Sequence, residues 1–420
     1  MIIFKFGGAS VKDASGVRNL EEIVSKYKGQ KLCIVVSAMG KTTNALESVV
    51  STFAQAGDWR FELNKIFEFH QSQLSLLLEE TENDATQAIG KIKHYAFTFL
   101  EQDQGSDYAF LYDQIVPIGE LLSTKIIEAY LRKQGHSSLW TDARKLVHTD
   151  NTYREAKVDW PKSEEQISAF WEQVEEEIVV TQGFLGGGDH MRMTTLGREG
   201  SDFSAAIFAY CLNAEFVTIW KDVPGMLNAD PKYFSNTTLL SNISYREAIE
   251  LSYYGASVIH PKTIKPLENK NIPLKVKSFV EPDEEGTLID SNTQLDFETP
   301  SYIFQDNQVL ISISSRDFSF IVEQHISDIF NSFAKHRLKI QTMQNSAISF
   351  SVSVKNEPEK IKQLIEDLKD RYKVLYNEGL ELLTIRHFNE KIVEELIREK
   401  EVLLEQKTRH TLRLLMRTSQ

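Results

Sequence analysis

The residues able to do chemistry gather in short glycine-bearing stretches. One of them reads Gly197-Arg198-Glu199-Gly200-Ser201-Asp202-Phe203-Ser204-Ala205-Ala206. Arg198 offers a planar fork of donors suited to a carboxylate. Gly197 and Gly200 let the backbone turn sharply or approach a ligand closely. Ser201 and Asp202 read as the N-cap and first turn of a helix whose body begins at Phe203. An acid at that end stays ionised, which suits a base or an electrostatic organiser. An ordinary glycine loop before a capped helix would have the same letters, so the stretch gains meaning only beside the others.

Lys5 lies inside the apolar run of residues 1–6 and is followed by Gly7-Gly8-Ala9-Ser10 and a helix-compatible segment, 17–27. A strand, glycine loop and helix in that order can present backbone N–H groups to phosphate oxygens, with the lysine as a clamp. The spacing is neither the P-loop nor the dinucleotide fingerprint. Residues 31–36 form a continuous apolar run and open into a second small-residue loop, 37–44, holding Ser37 and Thr43. Such runs are buried parallel strands, and ligands collect at their C-terminal edge. Glu120 falls in the first turn of a helix opened by Pro117, where the helix dipole favours a carboxylate. A third glycine loop, 183–188, follows the strand-like segment 175–182.

The elements that must position these groups alternate between strand and helix. Residues 45–111 are mostly helical, with apolar positions three and four apart. Residues 138–141 and 272–279 read as strands, 150–162 as irregular, and 244–252 as helix. The acidic 281–286 stretch reads as a linker. Beyond Pro300 the order is β-α-β-β-α-β over 309–376, a ferredoxin-like unit, with helix expected from Phe318 to Lys335. The order then restarts at 380–387 and stops before a second helix and last strand. Expected domains are therefore 1–285, 300–378 and a shortened 379–420.

With 420 residues, two or three domains are expected. A net charge of −13 with no long basic run argues against nucleic acid or anionic lipid as partner. The two cysteines, Cys33 and Cys211, each sit in apolar surroundings and suit a reducing compartment. No cationic leader or membrane-length apolar run is evident, so a cytoplasmic location is expected. His70 and His94 have no partner ligands at metal-site spacing, and no metal site is expected.

Jointly, Lys5-Phe6-Gly7-Gly8-Ala9-Ser10, Val36-Ser37-Ala38, Gly119-Glu120, Gly183-Phe184, the Gly197 to Asp202 stretch, Asp222-Val223-Pro224-Gly225, Ala229-Asp230-Pro231, Gly255-Ala256, His260-Pro261 and Ile272-Pro273-Leu274 resemble the aspartate kinase family. That family lies within the amino-acid kinases, and the tail resembles its paired ACT modules. The resemblance implies an open, mainly parallel sheet sandwiched by helices, followed by two small α+β units. It implies phosphoryl transfer from ATP, with Mg²⁺, to the side-chain carboxylate of L-aspartate. By the same resemblance Lys5 and Asp202 are catalytic. Ser37, Thr43, Glu120, Phe184, Arg198 and Ser201 bind aspartate, Glu120 meeting its ammonium and Arg198 a carboxylate. Lys5, Gly7, Gly8, Ser10, Lys221, Asp222, Leu227 and Lys232 attend the nucleotide. Ser315, Arg316, Asp317, Gln344 and Asn345 mark the effector loops.

Several positions depart from the family pattern. Ala9 replaces a threonine, Leu227 an aromatic, Lys232 an arginine and Ser257 a lysine. In the tail Asp317 replaces a glycine, and Gln344-Asn345 stands where lysine-sensitive members have Ser-Glu. An asparagine lacks the charge to pair a lysine ammonium, so lysine, threonine or no effector are all compatible. A homodimer, or a dimer of dimers, is expected through residues 300–420. The competing readings are a kinase acting on glutamate or acetylglutamate, and a catalytically weak effector-binding homologue.

Overall fold

The computed structural model describes residues 1–79, 83–256, 258–317 and 319–418. The chain divides into two compact units, the first made of Met1–Met226, Leu239–Ile249 and Val258–Thr293. Its strands are β1 (Ile2–Phe6), β2 (Leu32–Val36), β3 (Ser138–Trp140), β4 (Ile178–Gln182), β5 (Leu185–Gly187), β6 (Met193–Thr195), β7 (Phe216–Lys221), β8 (Asn242–Ser244), β9 (Leu274–Ser278) and β10 (Thr287–Asp290). Eight of them form one sheet in the order β3-β4-β2-β1-β7-β9-β10-β8. Every pairing in it is parallel except β9 with β10. β5 and β6 form a separate antiparallel hairpin.

β1 lies between β2 and β7. The chain winds outward from it in both directions, and a crevice opens at the C-terminal end of such a strand. Ile2, Phe4 and Phe6 join a core with the helices Ala14–Ser25, Thr42–Ala54, Arg60–Leu78 and Ile118–Lys133. Side chains alternate along a strand, so Lys5 points to the opposite face, toward the helix Gly200–Cys211.

The long helical segment resolves into Thr42–Ala54, Arg60–Leu78, Asp84–Gln102 and Tyr108–Ile115. The stretch read as irregular, 150–162, ends in the first turn of a helix, Trp160–Trp171, started by the Asp159 side chain accepting from Lys162 N and by Pro161. Residues 281–286 connect β9 to β10 within the same sheet, and the first unit continues to Thr293.

The second unit comprises Leu227–Thr238, Glu250–Ser257 and Gln294–Gln420. Its strands β11 (Ser301–Ser315), β12 (Ile340–Asn345), β13 (Ser349–Lys355), β14 (Tyr372–Arg386), β15 (Lys400–Lys407) and β16 (Thr411–Thr418) make one antiparallel sheet, ordered β12-β13-β11-β14-β16-β15. Strands expected separately at 372–376 and 380–387 are one, β14. Gly379 and Asn307, both at positive φ, and register shifts between Gln305 and Leu310 let β14 and β11 bend without ending. Residues 301–305 of β11 pair with the far half of β14. They occupy the place of the last strand that the second ferredoxin-like unit lacks, so this edge is covered within the chain. Across the curled sheet, Thr342 Oγ1 donates to Gln406 Oε1 at 2.9 Å and Arg413 Nη1 to Gln341 O at 2.6 Å. The helix expected from Phe318 begins at Glu323, and Phe318 itself lies outside the described residues.

Candidate active site

β1 brings Lys5 to the sheet's C-terminal edge, and the first turn of Gly200–Cys211 brings Asp202 to meet it. The Lys5 Nζ stands 2.6 Å from Asp202 Oδ1, and the Lys221 Nζ, at the end of β7, stands 3.3 Å from Oδ2. Lys221 also donates to the Val258 carbonyl. Burial alone would raise the Asp202 carboxyl, but the two ammonium groups outweigh it and hold the pKa below its ordinary value. Lys221, expected along the nucleotide, thus belongs to the charged centre around Asp202.

The helix start differs from the sequence reading. Its N-cap is Glu199, in the left-handed region at φ 54°, with no side-chain cap; Ser201 and Asp202 both lie inside the first turn. Gly200, the first helical residue, packs directly against Phe184. A Cβ at Gly200 would come within 2.8 Å of the Phe184 ring.

These groups line a cavity of about 930 Å³ in the first unit. Of the expected residues it gathers Lys5, Gly8, Ser37, Thr43, Glu120, Phe184, Arg198, Ser201, Asp202 and Lys221. Gly8 is needed for close packing: its Cβ would meet the Ala38 carbonyl oxygen at 2.6 Å, and its own carbonyl accepts from Gly40 N at 2.9 Å. Gly7, Ser10, Asp222, Leu227 and Lys232 are not among the lining residues. The Ser10 hydroxyl instead donates to Trp220 O at 3.4 Å. Leu227 and Lys232 belong to the second unit, where Lys232 Nζ donates to the Tyr233 hydroxyl at 3.1 Å. Ser257 lies outside the described residues.

Glu120 departs from the expected ionised acid. Its Oε1 accepts from Ala38 N at 3.1 Å, while Oε2 is buried with no hydrogen-bond partner among the described residues. Burial pushes its pKa up to about 8, against the opposing pull of the Ala38 N–H and Lys5. Desolvation outweighs the helix dipole here because the carboxyl is only 2% exposed. A cationic ligand group beside it would restore the charge.

The sequence reading missed the wall built by Tyr112, Thr152, Tyr153, Arg154, Glu155 and Thr195. Asp113 secures that wall: its carboxylate accepts from Arg154 N at 3.0 Å, Thr195 N at 2.8 Å and Thr195 Oγ1 at 2.8 Å. The adjacent Gln114 exchanges hydrogen bonds with Met193 N and O. Acid and amide side by side at a helix end, Asp113-Gln114, were the only trace of this clasp in the sequence.

Among the expected effector residues, Ser315 and Arg316 line a small cavity of about 280 Å³ with Lys373. Asp317 accepts from Ser319 N at 3.1 Å, and its bonds to Ser319 hold its pKa low. Gln344 and Asn345 are exposed on β12 and are not among the residues lining that cavity.

The mainly parallel sheet, the glycine loops at its C-terminal edge and the lysine–aspartate–lysine centre together set cationic groups in a cavity suited to anionic ligands. The chain belongs to the amino acid kinase family, whose model matches residues 1–278. Among its relatives is the lysine-sensitive aspartokinase 3 of Escherichia coli, 29% identical over 84% of this chain and 78% of that one. A bifunctional aspartokinase/homoserine dehydrogenase of Daucus carota is 32% identical over 74% of this chain and 35% of its own length. The chain spans about 32–42% of the length of the bifunctional plant relatives it matches. The crystal structure of Escherichia coli aspartokinase III with lysine and aspartate aligns over 99% of this chain and 95% of that one, with a TM-score of 0.84 and 26% identity. The same enzyme with aspartate and ADP aligns with a TM-score of 0.81 at 26% identity. Among the described residues no helix is long and apolar enough to cross a membrane.

Proposed function

We propose that this chain transfers the γ-phosphoryl group of ATP to the side-chain carboxylate of L-aspartate, giving 4-phospho-L-aspartate and ADP. The observation that carries this reading is a buried, unpartnered Glu120 oxygen in the same cavity as Arg198 and the Lys5–Asp202–Lys221 centre. That cavity offers a carboxyl for an ammonium, a fork for a carboxylate, and cations for the transferring group. The relatives named aspartokinase, and the one bound to aspartate and ADP, support the same substrates.

Catalysis here is positioning and charge stabilisation. A carboxylate oxygen attacks the γ-phosphorus, and the bond to the β–γ bridging oxygen breaks as ADP leaves. The acceptor is already ionised near neutral pH, so no base is required. Asp202 instead holds Lys5 and Lys221 where negative charge develops. Thr43, Ser201 and Phe184 complete the substrate pocket, and the Gly8 backbone faces the phosphates. Mg²⁺ bound with the nucleotide would neutralise phosphate charge. No group of three or more His, Cys, Asp or Glu residues that could hold a metal ion occurs among the described residues, so ATP oxygens and water would supply most of its ligands.

The first unit carries catalysis and the second regulation, in a homodimer joined through the second, with lysine or threonine as effector. Exposed Met343, Leu375 and Tyr376 in the second unit support a partner surface. The deciding experiment is incubation with ATP, L-aspartate and hydroxylamine, which converts the acyl phosphate to a hydroxamate. Hydroxamate from glutamate or acetylglutamate but not aspartate would replace this reading. Acetylglutamate has no ammonium to offer Glu120, which disfavours it, and the aspartokinase relatives favour aspartate over glutamate.

A further inference from the structure

Arg154 enters no motif and no role above, yet three observations converge on it. It lines the same cavity as Arg198 and Lys5. Its backbone is left-handed at φ 71°, a conformation a non-glycine residue adopts at a cost, and the buried Asp113 carboxylate holds it there through Arg154 N at 3.0 Å. Its guanidinium lies 4.5 Å from the centroid of Tyr112, itself a lining residue, and 5.7 Å from that of Tyr108. The ring face fixes the plane of the fork while leaving its N–H edge available. Its ion-pair partner among the described residues, Glu47, stands 3.9 Å away, beyond a hydrogen bond. Lys5 and Lys221, by contrast, are already committed to Asp202.

We propose that Arg154 is a second anion-binding arm of the active-site cavity, contacting a carboxylate or phosphate oxygen of a bound reactant. This rests on the kinase reading above, because two anionic reactants must share one cavity. A pair of forked cations, Arg198 and Arg154, gives the cavity more positive donors than a single carboxylate needs. Tyr112 and Asp113 act on Arg154 as positioning residues, one through the side chain and the other through the backbone.

The test compares full-length wild type with Arg154→Gln and Arg154→Lys, measuring kcat and both KM values with L-aspartate and MgATP. Arg154→Gln is expected to raise one KM at least about tenfold and leave the other within about twofold, since a charged bidentate pair is lost. A rise confined to aspartate assigns the arm to a carboxylate, and one confined to ATP assigns it to a phosphate. Arg154→Lys is expected to recover part of the loss, as charge returns without the fork. Both KM values within about twofold of wild type in a folded Arg154→Gln protein would overturn the proposal. So would an equal fall in kcat for both variants with unchanged KM, which marks a merely structural role. Failure of wild type to phosphorylate aspartate bears on the function instead. The same variant-to-wild-type ratios would then be taken on the acid it does phosphorylate.

Discussion

Lys5 and Asp202 form a buried ion pair: removing Asp202 takes the carboxylate from both Lys5 and Lys221, and removing Lys5 leaves Asp202 with Lys221 alone. Lys5→Ala and Asp202→Ala are each expected to lower kcat at least about a hundredfold, because preorganised charge at a transferring group contributes several kcal/mol. Near-normal turnover in either folded variant, measured by hydroxamate formation, would remove the assignment. Glu120 gives a pH signature. Folded Glu120 keeps its proton up to about 8, whereas the unfolded chain releases it near 4.5. Between those values the folded state binds more protons, so this group's contribution to stability is full below 4.5 and is lost as pH rises through about 8. Glu120→Gln removes that loss. The Tm of the variant minus that of wild type is expected to increase from about pH 5 to about pH 8. Aspartate binding near neutral pH should also release a proton from Glu120, seen as a binding heat that depends on the buffer. An unchanged Tm difference and a buffer-independent heat would show that Glu120 stays ionised in the free protein.

At the scale of elements, the helix Tyr108–Ile115 works as a bracket for the β5–β6 hairpin and the 152–155 loop. Asp113→Ala strands the buried Thr195 N–H and hydroxyl and the part-buried Arg154 N–H, a loss of about 3 kcal/mol. Asp113→Asn keeps a carbonyl acceptor for the N–H groups and an amide donor for Thr195 Oγ1, so it should retain most of that stability. Urea unfolding, with amide exchange at Thr195, separates the two outcomes; equal destabilisation by Ala and Asn would mean that the negative charge itself matters. The glycine loop after β1 is a second such element. Gly8→Ala sets a Cβ against the Ala38 carbonyl, and overpacking of backbone on backbone costs about 1–3 kcal/mol. Turnover should fall with it, since the loops at 7–10 and 37–40 would separate; an alanine variant with wild-type Tm and kcat would show that the loops can yield.

For the whole molecule, the two units imply different experiments. Segments Leu227–Thr238 and Glu250–Ser257 belong to the second unit although they precede Thr293. Truncation there would strip them of partners such as Pro300 and Gln305. A point substitution in the full chain is therefore the cleaner probe of assembly. Leu375 is 58% exposed on β14, so Leu375→Glu leaves the fold's core untouched. It is expected to shift the sedimenting species from dimer to monomer; a variant that remains dimeric would place the contact elsewhere. Titration of lysine and of threonine against wild-type turnover reads the effector separately, and no inhibition by either would mark the second unit as unresponsive to both.

Local patterns determined much of this protein. Continuous apolar runs set β1, β2 and β4, because strands buried on both faces need apolar residues at every position. Glycine loops at their ends located Lys5, Gly8, Ser37, Phe184 and Arg198, since close backbone approach excludes a Cβ. The sequence also carried the family through motif order. Long-range packing decided the rest. Lys221 joined Asp202 because β7 lies beside β1, which no local signal states. Glu120 holds a proton because the fold buries it, against what its place in a helix turn favours. Asp113 and Arg154 are 41 residues apart, and their meeting depends on tertiary structure alone. The strand 301–305 completes a module that begins some eighty residues later, because sheet edges pair by proximity in space and not by order along the chain.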